Sequence, residues 1–164
     1  MKRLVLLPIS VISAILIFAI LAGGCISLLT PFIEAEIMQM LDELGEANVN
    51  GDVDQIIIHY TDPTTHVDHI YEETYVLTLE ELRIENEEAL IYYDCLIDDF
   101  SNEEITILDA SNAVVECDEH AKFQDLLDET IYESIDKIKL TLIKIDGNWK
   151  ISIYERISTE EVTP

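Results

Sequence analysis

The chain has 164 residues, with 34 acidic and 9 basic side chains and a formal net charge of −25 at neutral pH. Lys2 and Arg3 are the only charged residues before Cys25, so the part after Cys25 carries 7 basic and 34 acidic residues and a charge of −27. Such a surface repels nucleic acid and anionic lipid headgroups, which excludes nucleic-acid binding. The acidic runs indicate a solvated coat rather than a specific cation site.

The first 25 residues have the layout of an export signal. Two basic residues precede an apolar run over residues 4–22, and small residues then lead into Cys25. The segment LAGGC resembles the lipobox of prokaryotic lipoproteins, which implies cleavage, lipidation of Cys25 and a membrane tether. An uncleaved anchor is the alternative, because 19 apolar residues suffice to span a bilayer. Both interpretations place residues 26–164 on the extracytoplasmic face as one domain, following the positive-inside rule.

Two amphipathic helices are predicted at the start of this domain. Thr30 and Pro31 are typical of a helix start, and a helix over 31–46 follows. Its apolar residues recur at helical spacing: Ile33, Ile37, Met40, Leu41 and Leu44. Asp52 caps a second helix, which Asp62-Pro63 ends after Tyr60.

The middle of the chain is less regular. Residues 64–77 are predicted to form a loop with a short strand over 70–76. Thr78 and Glu81 form a capping box that opens a third helix, extending to about residue 98. A strand over residues 89–97 is the alternative, because ALIYYDCLI is also rich in strand-forming residues.

After residue 102 the apolar period changes from helical to two, which predicts strands. Four segments show this alternation, at residues 105–108, 115–123, 138–142 and 149–153. The last two are joined by Asp146-Gly147-Asn148, a strong hairpin signal because these residues tolerate positive φ. Helices followed by strands predict an α+β domain.

The order of these elements resembles the nuclear transport factor 2-like superfamily, which includes ketosteroid-isomerase-like proteins. The resemblance covers residues 31–157 and is carried by NGDVDQIIIHY between the helices and by the closing LTLIKIDGNWKISIYE. It implies a cone in which the N-terminal helices pack on a curved antiparallel sheet, often with a pocket at the open end. Ketosteroid-isomerase-like members use a Tyr on the first helix, and the first helix here contains none.

Glu119 is the candidate catalytic residue. Strict alternation places it on the inner face of its strand with Cys117, Ala121 and Phe123. A carboxyl there would have a raised pKa and could act as a general acid or base. The alternative is a bulge or edge position that turns Glu119 to water. A pocket in the cone is expected to include Tyr60, His69, Glu119 and Trp149.

Cysteine and histidine offer two further candidates. Cys95 and Cys117 form an even pair, so a disulfide and two buried thiols are both consistent with the sequence. The run His66-Val67-Asp68-His69 could begin a metal site, but no further Cys or His lies at ligand spacing. We therefore expect an ordinary polar loop, no metal and no cofactor.

Two function hypotheses follow from different classes. The first is a membrane-tethered, non-catalytic module that binds a small apolar ligand or a protein partner, with a homodimer as one such assembly. The second is an isomerase- or hydratase-like enzyme that uses Glu119. The sequence lacks a complete set of acid and base residues, which favours the binding module. The fold alone does not distinguish the two hypotheses, because it hosts many functions.

Overall fold

A computed structural model describes the backbone of residues 9–162 and the side chains of residues 29–162. The chain contains three helices and six strands over this part. The helices are α1 (Ile9–Asn50), α2 (Val53–Ile57) and α3 (Leu79–Tyr92). The strands are β1 (Tyr60–Asp68), β2 (Glu73–Leu77), β3 (Tyr93–Ile107), β4 (Asn112–Asp125), β5 (Ile131–Ile145) and β6 (Asn148–Glu161).

The strands form one sheet in the order β2-β1-β6-β5-β4-β3. Strands β3 to β6 make a meander of antiparallel pairs, and β1 pairs antiparallel with β2. The pair β1–β6 is parallel, which corrects the expectation of a purely antiparallel sheet. The predicted α+β cone, with N-terminal helices on a curved sheet, is otherwise confirmed.

The core lies between α1 and the concave face of the sheet. The apolar stripe predicted for the first helix is buried in full: Ile33, Ile37, Met40, Leu41 and Leu44. It packs against inward residues of the central strands: Val115, Ile138, Leu140, Leu142 and Ile151. The apolar face of the helix and the apolar faces of the strands, which the two sequence periods predict, therefore pack against each other.

Gly45 allows α1 to cross β3 at close range. A Cβ atom at this position would lie 2.3 Å from the backbone oxygen of Asp98. Glycine inside a helix costs about 1 kcal/mol relative to alanine. That cost is offset here because the absence of a side chain brings the end of α1 onto the strand that carries Asp98.

The caps predicted for α2 and α3 and the final turn are confirmed, whereas the helix start predicted at Thr30-Pro31 is wrong because α1 continues through both residues. The Asp52 carboxylate accepts a hydrogen bond from the Gln55 N–H at the start of α2. Thr78 and Glu81 form the capping box of α3. In the hairpin between β5 and β6, Asp146 and Gly147 have φ of 51° and 87°, as the Asp-Gly signal predicts.

Lipidation of Cys25 and cleavage after residue 24 stay predictions, because the Cys25 side chain lies outside the described part of the chain. Among the residues that are described, no helix is both long and apolar enough to cross a membrane.

Candidate functional site

A cavity of about 240 Å³ lies where the C-terminal end of α1, α3 and the strands β3 and β4 meet. Most of its lining is apolar, and four polar side chains interrupt it. The apolar residues are Ile56, Ala89, Leu90, Tyr93, Cys95 and Phe123. The polar residues are Asn48, Asn86, Asp98 and Glu119.

Glu119 reaches the cavity through the alternation of β4. Val115, Cys117 and Ala121, at two-residue steps on the same strand, are all buried. Glu119 shares their face, so its carboxyl points into the cone and borders the cavity. Of the two orientations that the sequence left open, the structure has the inward one.

Asp98 reaches the same cavity through a β-bulge. The register between β3 and β4 shifts between Cys95 and Ile97, which adds one residue to β3. Cys95 and Asp98 are therefore both buried on the inner face although they are three residues apart. The Asn48 side-chain amide, at the end of α1, donates a hydrogen bond to the Asp98 carboxylate.

The charges of the Glu119 and Asp98 carboxyl groups affect each other. Burial and the charge of Asp98 raise the pKa of Glu119 to about 8. Burial also raises the pKa of Asp98 to about 6, against the opposing hydrogen bonds from Asn48 and Glu119. Glu119 therefore keeps a proton at neutral pH while Asp98 is ionised. The Asp98 Oδ1 atom is buried and has no hydrogen-bond partner among the described residues.

Three stacked rings, which we name the aromatic wall, lie beside Glu119: Tyr60, His66 and Tyr154. The Tyr154 hydroxyl donates a hydrogen bond of 2.5 Å to the Glu119 Oε2 atom. The His66 ring stacks on Tyr154 with centroids 5.4 Å apart and on Tyr60 with centroids 6.0 Å apart. Burial lowers the pKa of His66, so its imidazole is neutral at pH 7.

A third carboxylate lies behind the pair on the same face of the sheet. Asp136 is buried on β5 directly opposite Glu119 on β4. The Arg156 guanidinium lies 3.8 Å from the Asp136 carboxylate and also binds Asp68. Arg156 therefore compensates the charge of Asp136, whereas the described structure brings no cation to Asp98 or Glu119.

The remaining predicted pocket residues lie elsewhere. Tyr60 is buried in the aromatic wall, where its ring stacks on His66, and does not line the cavity. Trp149 lines a separate groove of about 590 Å³ between α1 and the β5–β6 hairpin, where its indole N–H donates to Glu36. His69 is at the exposed end of β1, 3.4 Å from Glu155. The structure therefore corrects the expectation that His69 and Trp149 share a pocket with Glu119.

The structure contradicts one of the two alternatives for Cys95 and Cys117, the disulfide, and has the other. Both cysteines are buried free thiols. Cys95 is opposite Phe123 in the β3–β4 pair, and Cys117 lies six residues away from Phe123 along β4. At about 3.4 Å per residue this separation is roughly 20 Å, far beyond the reach of a disulfide. Burial raises the pKa of each thiol to about 12.

The run from His66 to His69 does not converge on one point. His66 points into the aromatic wall, Asp68 binds Arg156, and His69 faces Glu155. In the part of the chain that the structure describes, no cluster of three or more potential metal ligands occurs.

Known structures of the same shape define the class of fold. A candidate scytalone dehydratase from Novosphingobium aromaticivorans superposes with a TM-score of 0.70 at 13% identity, over 82% of this chain and 91% of that one. A ketosteroid isomerase-like protein from Erwinia carotovora atroseptica gives 0.61 at 17% identity, over 79% and 96%. A conserved protein from Planctomyces limnophilus gives 0.68 at 15% identity, over 79% and 97%.

At this level of identity the likeness establishes the fold alone. The chain has the nuclear transport factor 2-like cone fold, whose neighbours include ketosteroid isomerase-like proteins and proteins of unknown function. No protein-family model matches the chain. No curated protein matches its sequence significantly.

Proposed function

We propose that the domain binds a small neutral ligand, mostly apolar with one hydrogen-bonding group, in the cavity beside Glu119 and Asp98. The observation that carries the proposal is a cavity whose lining is mostly apolar and includes four polar side chains. Its volume of about 240 Å³ exceeds the roughly 150 Å³ of an engineered cavity that holds benzene. A ligand of one or two rings therefore fits.

The charges of the site favour a neutral ligand. Asp98 is ionised at neutral pH, and a second anion in this apolar cavity would be repelled and poorly solvated. The protonated Glu119 and the amides of Asn48 and Asn86 offer donors to a ligand hydroxyl or carbonyl. The formal charge of −27 after Cys25 also disfavours the approach of anions.

A thermal-shift screen tests this proposal on the full chain in detergent. Neutral probes such as 1-naphthol and cyclohexanone should raise the melting temperature, and 1-naphthoate should not. Ala89→Trp places a large side chain at an exposed position of the cavity lining and should abolish the shift. Ala110→Trp, at an exposed position away from the cavity, is the matched control. Equal shifts in both variants would refute binding at this cavity.

An enzyme is the second candidate, favoured by the different pKa values of the two carboxyl groups. A protonated Glu119 and an ionised Asp98 in one cavity are a general acid and a general base at neutral pH. This pair suits proton transfer of the isomerase or dehydratase type on a small neutral substrate. Neither group needs a cofactor for that step.

Deuterium exchange distinguishes the enzyme from the binding module. In D₂O an enzyme of this kind should exchange the α-protons of cyclohexanone faster than buffer does. Glu119→Gln should abolish the acceleration, while Glu116→Gln, on the outer face of β4, should retain it. Binding of the probe without accelerated exchange would leave the non-catalytic module as the function.

The membrane tether is a separate part of the proposal. The segment LAGGC supports lipidation of Cys25 and an extracytoplasmic position for residues 26–164. Cys25→Ser should abolish incorporation of a radiolabelled fatty acid, and the neighbouring Ser27→Ala should retain it. A wild-type chain that takes up no label and keeps its first 24 residues would instead support the uncleaved anchor.

A further inference from the structure

Exposed apolar side chains lie next to the solvent-facing opening of the Glu119 cavity. We name this surface the apolar collar, and its members are Tyr92, Tyr93, Phe123, Leu126, Leu127 and Tyr132. Their exposure ranges from 37% at Phe123 to 79% at Leu127. Single exposed apolar residues are ordinary, whereas adjoining ones with many aromatic rings mark interaction surfaces.

The pairing of the strands shows that the apolar collar is continuous. Phe123 is directly opposite Tyr132 across β4 and β5, so their side chains are neighbours on the inner face. The Leu126 backbone N–H donates a hydrogen bond of 2.8 Å to the Tyr92 backbone carbonyl oxygen. This bond joins the β4–β5 turn to the end of α3. Tyr93 and Phe123 also line the cavity, so the collar forms its rim.

Acidic residues border the apolar collar. Asp94 follows Tyr93, Asp125 ends β4, and the β4–β5 turn adds Asp128 and Glu129. Between Arg83 and Lys137 the chain has 17 acidic residues and one basic residue, Lys122. The Lys122 ammonium is already paired with Glu133 at 2.7 Å. The collar is therefore an apolar surface in a negative field.

These charges decide what can cover the collar. A second copy would bring the same carboxylates together, and an anionic membrane would repel them as well. The collar also adjoins the C-terminal end of α1, since Asn48 lines the cavity that it rims. The C-terminal end of α1 is about 30 Å along the helix from residue 29. The segment that precedes residue 29 therefore starts far from the collar. The occupant must instead come from another molecule and carry positive charge.

We propose that the apolar collar docks a basic amphipathic segment of a partner protein. The apolar side of that segment packs on the aromatic rings of the collar. Its Lys and Arg side chains meet the surrounding carboxylates, among them Asp94, Asp125, Asp128 and Glu129. This assignment is independent of the ligand proposed for the cavity, because the collar residues used in the test below do not line it.

The test uses the full chain in zwitterionic nanodiscs and a fluorescent 18-residue peptide of Leu and Lys with helical amphipathic spacing. Empty nanodiscs supply the reference for fluorescence anisotropy. A scrambled peptide has the same charge without an apolar face, and a third peptide carries Glu in place of Lys. The amphipathic basic peptide should bind at least about tenfold more tightly than either.

Paired variants locate the binding. Leu127→Ser with Tyr132→Ser should weaken the amphipathic peptide about tenfold. Leu108→Ser with Ile157→Ser removes exposed apolar side chains outside the collar, in the β3–β4 turn and on β6, and should change binding less than about twofold. All four positions are exposed, so circular dichroism should show the wild-type fold.

A charge variant provides an independent measurement. Asp128→Asn with Glu129→Gln should weaken binding about threefold and reduce its dependence on salt. Equal affinity for the scrambled peptide, or unchanged binding in the Leu127 and Tyr132 variant, would overturn the proposal. A dimer in sedimentation that the same variant dissociates would overturn it too, since the occupant would then be a second copy.

Discussion

At the scale of single residues, the protonation of Glu119 links the stability of the domain to pH. Its carboxyl borders an apolar cavity, faces Asp98 and receives one hydrogen bond from Tyr154. The unfolded chain ionises this group near its ordinary pKa, whereas the folded chain holds the proton to about pH 8. Glu119 therefore couples folding to proton uptake.

We expect Glu119→Gln to change the pH dependence of stability. A raised pKa in the folded state contributes stability below the unfolded value of 4.5, and this contribution is lost as the pH rises to about 8. The amide has no such loss, so the variant should gain relative to wild type across that window, on the order of 5 kcal/mol in full. Urea denaturation at several pH values measures the difference.

The control is Glu116→Gln on the outer face of β4, which should show a pH dependence parallel to that of the wild type. A Glu119→Gln variant that loses stability relative to wild type as the pH rises would contradict the assigned protonation.

Tyr154→Phe should raise the pKa of Glu119 further. The Tyr154 hydroxyl donates to the Glu119 carboxylate, and a hydrogen bond to the charged form favours that form. Infrared spectroscopy of the protonated carboxyl band during a pH titration measures the change. Tyr132→Phe, which removes an exposed hydroxyl, is the control. A lower pKa in Tyr154→Phe would show that the hydroxyl does not stabilise the carboxylate.

At the scale of the elements, the site depends on how closely α1 approaches β3. Asn48 near the end of α1 binds Asp98, and Gly45 one turn earlier leaves room for the strand. The helix is therefore both the support of the core and one wall of the cavity.

Gly45→Ala should destabilise the domain although alanine favours helix. The new methyl group would lie 2.3 Å from the Asp98 backbone oxygen, so α1 must move away from β3. We expect a loss of about 1–3 kcal/mol in the free energy of unfolding, as for other overpacked sites. Glu46→Ala, at the exposed neighbouring position, should stay within about 0.5 kcal/mol. A stabilised Gly45→Ala variant would contradict the close approach.

Trp149→Ala should be the most damaging change in the β5–β6 hairpin. The indole is buried against α1 and donates a hydrogen bond of 3.1 Å to Glu36. We expect a loss of about 3–5 kcal/mol in the free energy of unfolding, measured by chemical denaturation. Trp149→Phe keeps a ring and loses only the N–H donor, so its loss should be clearly smaller. Similar losses in the two variants would place the stabilisation in the hydrogen bond instead.

The helix of the core could be predicted because its buried residues follow one helical stripe, from Ile33 to Leu44. Strand β1 was missed because TDPTTHVD shows no apolar alternation, and its pairing with β6 comes from a distant part of the chain. The predicted helix start at Pro31 was also wrong, since α1 continues through that residue.

Of the two carboxyl groups in the candidate site, the sequence predicts the position of Glu119 but not that of Asp98. Glu119 follows a regular two-residue alternation that the sequence shows directly. Asp98 was assigned to the end of a helix that in fact ends at Tyr92, and a bulge in β3 then turns Asp98 inward. Neither the bulge nor the hydrogen bond from Asn48 has a signal in the sequence.

At the scale of the whole molecule, charge is strongly unbalanced. Five basic residues of the described part already form ion pairs: Arg83, Lys122, Lys139, Lys144 and Arg156. With 34 acidic residues in the chain, most carboxylates have no cation of the protein beside them. Repulsion among them opposes the compact state.

Added salt should therefore stabilise the protein. Raising NaCl from about 0.05 M to 1 M shortens the Debye length from more than 10 Å to about 3 Å and screens this repulsion. We expect the melting temperature in calorimetry to rise, and KCl at equal ionic strength should act alike. A melting temperature that falls or stays constant would show that the ion pairs outweigh the repulsion.

The position of β6 has a consequence for the timing of folding. The last strand of the chain is a central strand of the sheet, between β1 and β5. The β1–β6 pair joins residues about 90 apart in sequence, such as Tyr60 and Ile151, and such distant pairing is slow to form. The sheet therefore cannot close until β6 has been synthesised and has left the ribosome. For a chain exported as proposed here, this delay keeps the earlier strands unfolded and able to pass through a translocation pore.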